Sequence, residues 1–203
     1  MPGHAIHITG ASGAGTTTLG RALAARLKVA HFDTDDFYWL PVEPAYSIKR
    51  PAAERLSLLG DAFDEAGSRG WVLSGSIGDW GASLIPLFNV VVFLRTPTDI
   101  RLARLRAREA KRFGAAAIAP GGSRHKEHTA FIEWSADYDL GTVSGRNLAR
   151  HDAWLETLPC PVLRLNGTER VDALTEKVME AFNDRDEIAS GNSPGTGIAD
   201  LQA

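Results

Sequence analysis

Short apolar runs bounded by turn residues recur along the chain at residues 5–9, 29–32, 71–73, 90–94 and 162–165. Each has the length of a strand, and hydrophobicity that is continuous rather than alternating predicts strands covered on both faces. Helical stretches lie between them. Over 19–27, Leu19, Ala22, Leu23 and Leu27 follow three-and-four spacing with Arg26 as the polar member. Pro51 suits the first turn of a helix over 52–66. The stretches FIEWSADYD and GTVSGRNLARHDAWL also read as helices. Strands that alternate with helices pair in parallel through right-handed crossovers. The expected fold is therefore an α/β three-layer sandwich, a five-stranded parallel sheet with helices on both faces.

A length of 203 residues suits one domain rather than two. We expect that domain over 1–183, followed by a polar, glycine-containing tail at 184–203 that is too poor in apolar residues to order. Hydrophobic residues at 44% and charged residues at 23% are the balance of a folding chain. A formal net charge of -3 offers no basic surface for nucleic acid. No run reaches the roughly 18 apolar residues of a membrane helix, and the start MPGHAIHITG reads as no targeting leader. These features predict a cytoplasmic protein with neither a nucleic-acid nor a membrane partner, and leave the oligomeric state open.

After the first strand comes GASGAGTTTLG, in which residues 10–17 fit the spacing G-x-x-x-x-G-x-T of a phosphate-binding loop opening a helix. Glycines at 10, 13 and 15 let successive backbone N–H groups curl inward, and the helix that follows adds its positive end. The candidate nucleotide contacts are Gly10, Ser12, Gly13, Ala14, Gly15, Thr16, Thr17 and Thr18. Thr17 offers a hydroxyl to Mg²⁺, and Thr18 reaches toward an inner phosphate. Thr16 stands where such loops carry a lysine. We expect an arginine of a later flap to supply the missing charge.

The second strand ends in HFDTDDFYW, which places acidic residues at the carboxyl edge of the sheet. Phosphoryl transfer needs one carboxylate for a metal and one for the attacking hydroxyl. Strand alternation puts Asp33 and Asp35 on one side, so Asp33 is assigned to the metal with Thr17, and Asp35 to the acceptor hydroxyl. Asp36 is held in reserve on the substrate side. The cluster also suits a helix N-cap, with Asp35 or Asp36 starting a helix at Phe37.

The loop followed by D-T-D resembles the P-loop small-molecule kinases related to adenylate kinase, notably the shikimate and gluconate kinases, over roughly residues 5–182. It is similar too to bacterial adenylate kinase-like proteins with G-T-T-T loops. The resemblance implies ATP and Mg²⁺ as cofactors and the same division of labour between Asp33 and Asp35. It implies that the loop after the third strand lines the acceptor pocket, with Gly75, Ser76, Asp79 and Trp80 as candidates beside Phe37, Tyr38 and Trp39. Lys49 and Arg50 are further candidates for an anionic group on the acceptor. It also implies that Asn166, Gly167 and Thr168 lie near the adenine.

Arg104, Arg108 and Arg112 fall four apart on one face of a basic helix. Beside the irregular segment 114–128 they suit a mobile lid, about 109–135, whose cations close over the triphosphate. Arg146 and Arg150 are further candidates to face phosphate. The leading expectation is an ATP- and Mg²⁺-dependent phosphotransferase acting on a hydroxyl of a small molecule. The alternatives are a nucleoside monophosphate kinase, for which the D-G-F-P-R type segment is missing, and a nucleotide-binding sensor without catalysis.

Overall fold

The structure, a computed structural model, describes residues 3–142 and 144–189, with side chains through residue 182. Strand β1 (His4–Gly10) runs into the glycine loop, α1 (Thr16–Leu27) leaves it, and β2 (Ala30–Asp33) passes directly into α2 (Thr34–Tyr38). The chain continues through α3 (Ala52–Ala66), β3 (Gly70–Ser74), a 3₁₀ segment (Gly78–Leu87) and β4 (Val90–Arg95). Helices α4 (Thr98–Phe113), α5 (Ala115–Ile118), α6 (His125–Ala136) and α7 (Leu148–Glu156) follow, and β5 (Val162–Asn166) and α8 (Val171–Ala189) complete it. The strands form one sheet in the order β2-β3-β1-β4-β5, and every neighbouring pair is parallel.

Successive strand residues feed opposite cores, as the two-residue period of a strand requires. Ile6, Ile8, Val72, Val92 and Leu94 pack against Leu19 and Leu23 of α1 and Leu174 and Val178 of α8. Trp71, Leu73, Val91 and Phe93 pack on the other face against Leu59 and Phe63 of α3 and Leu155 of α7. Each such leucine or isoleucine contributes about 1.5–3 kcal/mol by leaving water. β1 and β3 lie side by side, yet their connections depart to opposite faces. In an open α/β sheet, such a switch opens a crevice beyond the carboxyl ends of the strands.

The structure moves several expected boundaries. Pro51 caps α3 from outside its first turn. β2 and β5 are sheet edges and only half-buried, so two-faced burial holds for the central strands alone. Residues 141 and 142 and 144–147 are not helical, and α7 starts only at Leu148, where the Asn147 side chain caps it. The irregular flap contains α5 and the start of α6. α8 runs to Ala189 and so occupies 184–189 of the expected tail, while 190–203 lie outside the described residues. Among the described residues no helix is long and apolar enough to cross a membrane.

Candidate active site

The phosphate loop is shaped by what presses on it. Gly13 has φ 81°, and a Cβ there would stand 2.7 Å from the carbonyl oxygen of Arg101, so α4 passes directly against the loop. Thr16, Thr17 and Thr18 form the first turn of α1, which holds no acidic residue. Its unpaired N–H groups are thus left for an anion. Two arginines of α4 hold the loop by its carbonyls. Fully buried Arg101 donates from Nη1 to Ser12 O at 3.4 Å and to Ser135 O at 3.0 Å. Arg104 donates to Ala14 O at 3.2 Å and, through both Nη atoms, to Gly167 O at 3.1 Å. A cavity of about 290 Å³ opens here, bounded by Gly15, Thr18, Arg104, Gly167 and Glu169.

Thr17 joins the loop to the acidic segment: its Oγ1 donates to Asp33 Oδ2 at 2.7 Å. Asp33 is the last residue of β2 and also the N-cap of α2, its Oδ1 accepting from the Asp35 N–H at 3.1 Å. The expected strand alternation therefore does not operate beyond Asp33, because Asp35 lies in the first turn of a helix; the capping reading describes the backbone, with the cap one turn earlier than expected. Asp35 and Asp36 diverge. Burial, then the charge of Asp33, pushes the Asp35 carboxyl above the usual carboxylate range, while Arg146 and Arg108 pull it down. The carboxyl is reachable from solvent yet ringed by protein, which explains how an exposed residue is also desolvated. Asp36 is raised by burial and by Asp33, and its cationic neighbours are Arg21 and His31 instead.

The arginine ladder of α4 spans the mouth of this crevice, and each rung meets something different. Arg104 holds the loop, Arg108 lies over the Phe131 ring at 5.9 Å and its charge works to lower the Asp35 pKa, and Arg112 lies over Tyr46 at 4.6 Å. Glu109 stands between the last two, 3.6 Å from Arg108 and 4.0 Å from Arg112. The ladder thus belongs mostly to a packed helix rather than to a flap. Arg146 reaches the loop from the segment before α7, Nη2 donating to Ser12 Oγ at 2.8 Å. Arg150 turns back to Gly145 O at 3.3 Å and does not join it.

On the acceptor side, Gly75 and Ser76 fold against α2. The Ser76 N–H donates to Thr34 Oγ1 at 3.1 Å, and a Cβ on Gly75 would stand 2.0 Å from that same oxygen. Trp80 packs on Tyr38, ring centroids 6.4 Å apart, and both rings meet the guanidinium of Arg55, at 5.5 and 3.8 Å. Asp79 is exposed at the start of the 3₁₀ segment. Arg50 is committed within the fold, to Phe37 O at 3.0 Å and to Glu54 at 2.5 Å, because it closes the antiparallel bridge between Trp39 and Lys49. It is not offered to an acceptor. Near the expected adenine position, Asn166 Oδ1 accepts from the N–H of Thr168 at 3.1 Å, which closes the turn after β5.

The model of an AAA domain family matches residues 6–118, a span that holds the loop, the acidic segment and the arginine helix. The chain belongs to this AAA-domain family. Uncharacterized protein YqaC of Bacillus subtilis (strain 168) is 42% identical to this AAA-domain chain over 175 residues, covering 86% of the chain and 95% of the relative. Among solved structures, a gluconokinase from Sinorhizobium meliloti 1021 matches with a TM-score of 0.54 at 14% identity, covering 94% of this chain and 98% of that one. A shikimate kinase from Acinetobacter baumannii in complex with shikimate matches with a TM-score of 0.53 at 15% identity, covering 90% and 94%. The fold is the three-layer α/β fold of these kinases, with a five-stranded parallel sheet.

Sequence reasoning about this AAA-domain chain passed over Arg55. It lies on the buried stripe of α3 with Leu59 and Phe63, four and eight residues on. A cation on an otherwise apolar stripe was the available signal. Arg101 belongs with it: its spacing to Leu105 places it on the inner face of α4.

Proposed function

We propose that the protein is an ATP- and Mg²⁺-dependent phosphotransferase that phosphorylates a hydroxyl of a small, anionic molecule. The observation that carries this reading is the Thr17–Asp33 hydrogen bond of 2.7 Å, which ties the phosphate loop to the segment that presents Asp35. Phosphate grip and acceptor carboxylate are thereby held in one crevice. Thr17 and Asp33 are hard oxygen donors, and among the described residues no cluster of three or more His, Cys, Asp or Glu forms a closed metal cage. That donor set fits Mg²⁺, which keeps waters and takes phosphate oxygens. Bound there, the ion would neutralise phosphate charge.

Asp35 then acts as base. Its raised carboxyl accepts the proton of the acceptor hydroxyl more readily than an ordinary carboxylate. The acceptor oxygen forms a bond to the γ-phosphorus. The bond from that phosphorus to the bridging oxygen breaks, its electron pair leaving with ADP.

Arg55 argues for an anionic acceptor. It is buried, its Nε donates to Arg50 O at 2.7 Å, and among the described residues no carboxylate stands within ion-pair distance of it. A desolvated guanidinium stacked on Tyr38 beside Trp80 suits a carboxylate or phosphate on a compact acceptor. As a test, Asp35→Asn is expected to lower ATP-dependent phosphorylation about 100-fold or more while leaving MgATP affinity within about two-fold. Full activity in Asp35→Asn would remove the base from this scheme. Thr17→Ala is expected to raise the Mg²⁺ concentration needed for activity, checked by a magnesium titration of the initial rate.

A further inference from the structure

Thr16 stands where loops of this spacing carry a lysine, so the charge that grips the outer phosphate has to come from elsewhere in the chain. Four arginines bear on the loop or on Asp35, and three are committed. Arg101 is engaged by Ser12 O, Ser135 O, Thr96 O, Thr98 and Asp139. Arg104 is engaged by the carbonyls of Ala14 and Gly167. Arg108 lies beside Glu109 and over Phe131. Arg146 differs from all three. Its Nη2 holds a side-chain hydroxyl, Ser12 Oγ, at 2.8 Å, and its Nε is buried with no hydrogen-bond partner. Among the described residues no carboxylate stands within ion-pair distance of it.

A guanidinium whose Nε is buried and unpartnered is an unfinished anion site. Its position is fixed from two sides. The Trp134 ring lies 5.7 Å from the guanidinium carbon, and Asn147, the next residue, caps α7 by accepting from the Arg150 N–H at 2.9 Å. Burial works against the charge of Arg146, and Asp35 is the carboxylate that supports it. The guanidinium is therefore held against the Ser12 side of the loop.

Resting on the phosphotransferase reading, we propose that Arg146 is the catalytic cation that replaces the absent loop lysine, gripping the γ-phosphoryl group from the Ser12 side of the loop. Ser12 Oγ holds its place until a phosphate oxygen takes over. As the acceptor oxygen bonds to phosphorus and the bridging oxygen leaves with ADP, Arg146 balances charge on the non-bridging oxygens, and the hydroxyl proton passes to Asp35. No second cation is needed at position 16.

The test is calorimetric titration of ATP and of ADP, each with Mg²⁺, into wild type, Arg146→Gln, Thr16→Lys and the double variant. Arg146→Gln is expected to weaken ATP binding about ten- to a hundred-fold with ADP affinity unchanged, and adding Thr16→Lys is expected to restore most of the ATP preference. Equal losses for both nucleotides, or no loss for either, overturn the assignment and leave the phosphotransferase reading standing. A wild type that binds neither nucleotide overturns both. Should Arg146→Gln not fold, Thr16→Lys alone decides. With Arg146 in place it gains at most about two-fold in ATP-over-ADP preference, whereas a gain of about ten-fold or more would show that the position lacked a cation and overturn the proposal.

Discussion

At Gly75 the chain leaves β3 with φ 111° and passes so close to α2 that any side chain would collide with Thr34 Oγ1, 2.0 Å from where a Cβ would sit. Gly75→Ala is therefore expected to destabilise the fold by about 1–3 kcal/mol, read from the urea midpoint, and to weaken the acceptor side more than nucleotide binding. A change below about 0.5 kcal/mol would contradict that packing. At this scale the glycines and threonines of the loop were legible, because their chemistry is local. The backbone reason given for Asp35 was wrong, since nothing in D-T-D distinguishes strand alternation from a capped helix start. Arg55 was overlooked because its role depends on Tyr38 and Trp80, which meet it only after folding.

Among the elements, α4 does two tasks at once. Its inner face carries Arg101 and Leu105 against the loop, while Arg104, Arg108 and Arg112 cross from the loop to the segment around Tyr46. α3 is simpler. Leu59, fully buried against Trp71 and its neighbours, is expected to cost about 2–5 kcal/mol on change to alanine, measured by chemical denaturation, with little effect on nucleotide affinity. The central strands and the helix over 52–66 could be read directly, since apolar run and period agree there. The flap could not. Small residues at 115–117 and the glycine pair at 121 and 122 break the periodicity that would announce α5 and α6. The 141–147 stretch was read as helix because the apolar residues of α7 were extended backward across two glycines of positive φ.

The whole molecule buries two histidines on the sheet face that carries α7. His7 is fully enclosed, stacked on Phe88 with centroids 4.9 Å apart, and burial lowers its pKa from 6.5 to about 4. His151 is lowered to about 3 by burial and by Arg146, its Nδ1 lying 2.5 Å from the Tyr138 hydroxyl. Both stay neutral in the fold while the unfolded chain takes up protons below about pH 6.5. Their contribution to stability is complete above that pH and is lost as pH falls toward 4. Roughly 3 kcal/mol is expected to go between pH 6.5 and 5, before ordinary carboxylates titrate, and a urea midpoint that stays flat across this window would contradict the burial. The proposed function, by contrast, rests on the crevice that runs from the loop at Thr17 through Asp33 to Asp35. The most direct test of that account is mass spectrometry of a small-metabolite pool incubated with the protein, MgATP and, in parallel, its Asp35→Asn variant. The account predicts a phosphorylated hydroxy acid or comparable anion that forms with wild type, together with ADP, and is missing with Asp35→Asn. Tight ATP binding with no phosphorylated product from any acceptor would contradict it.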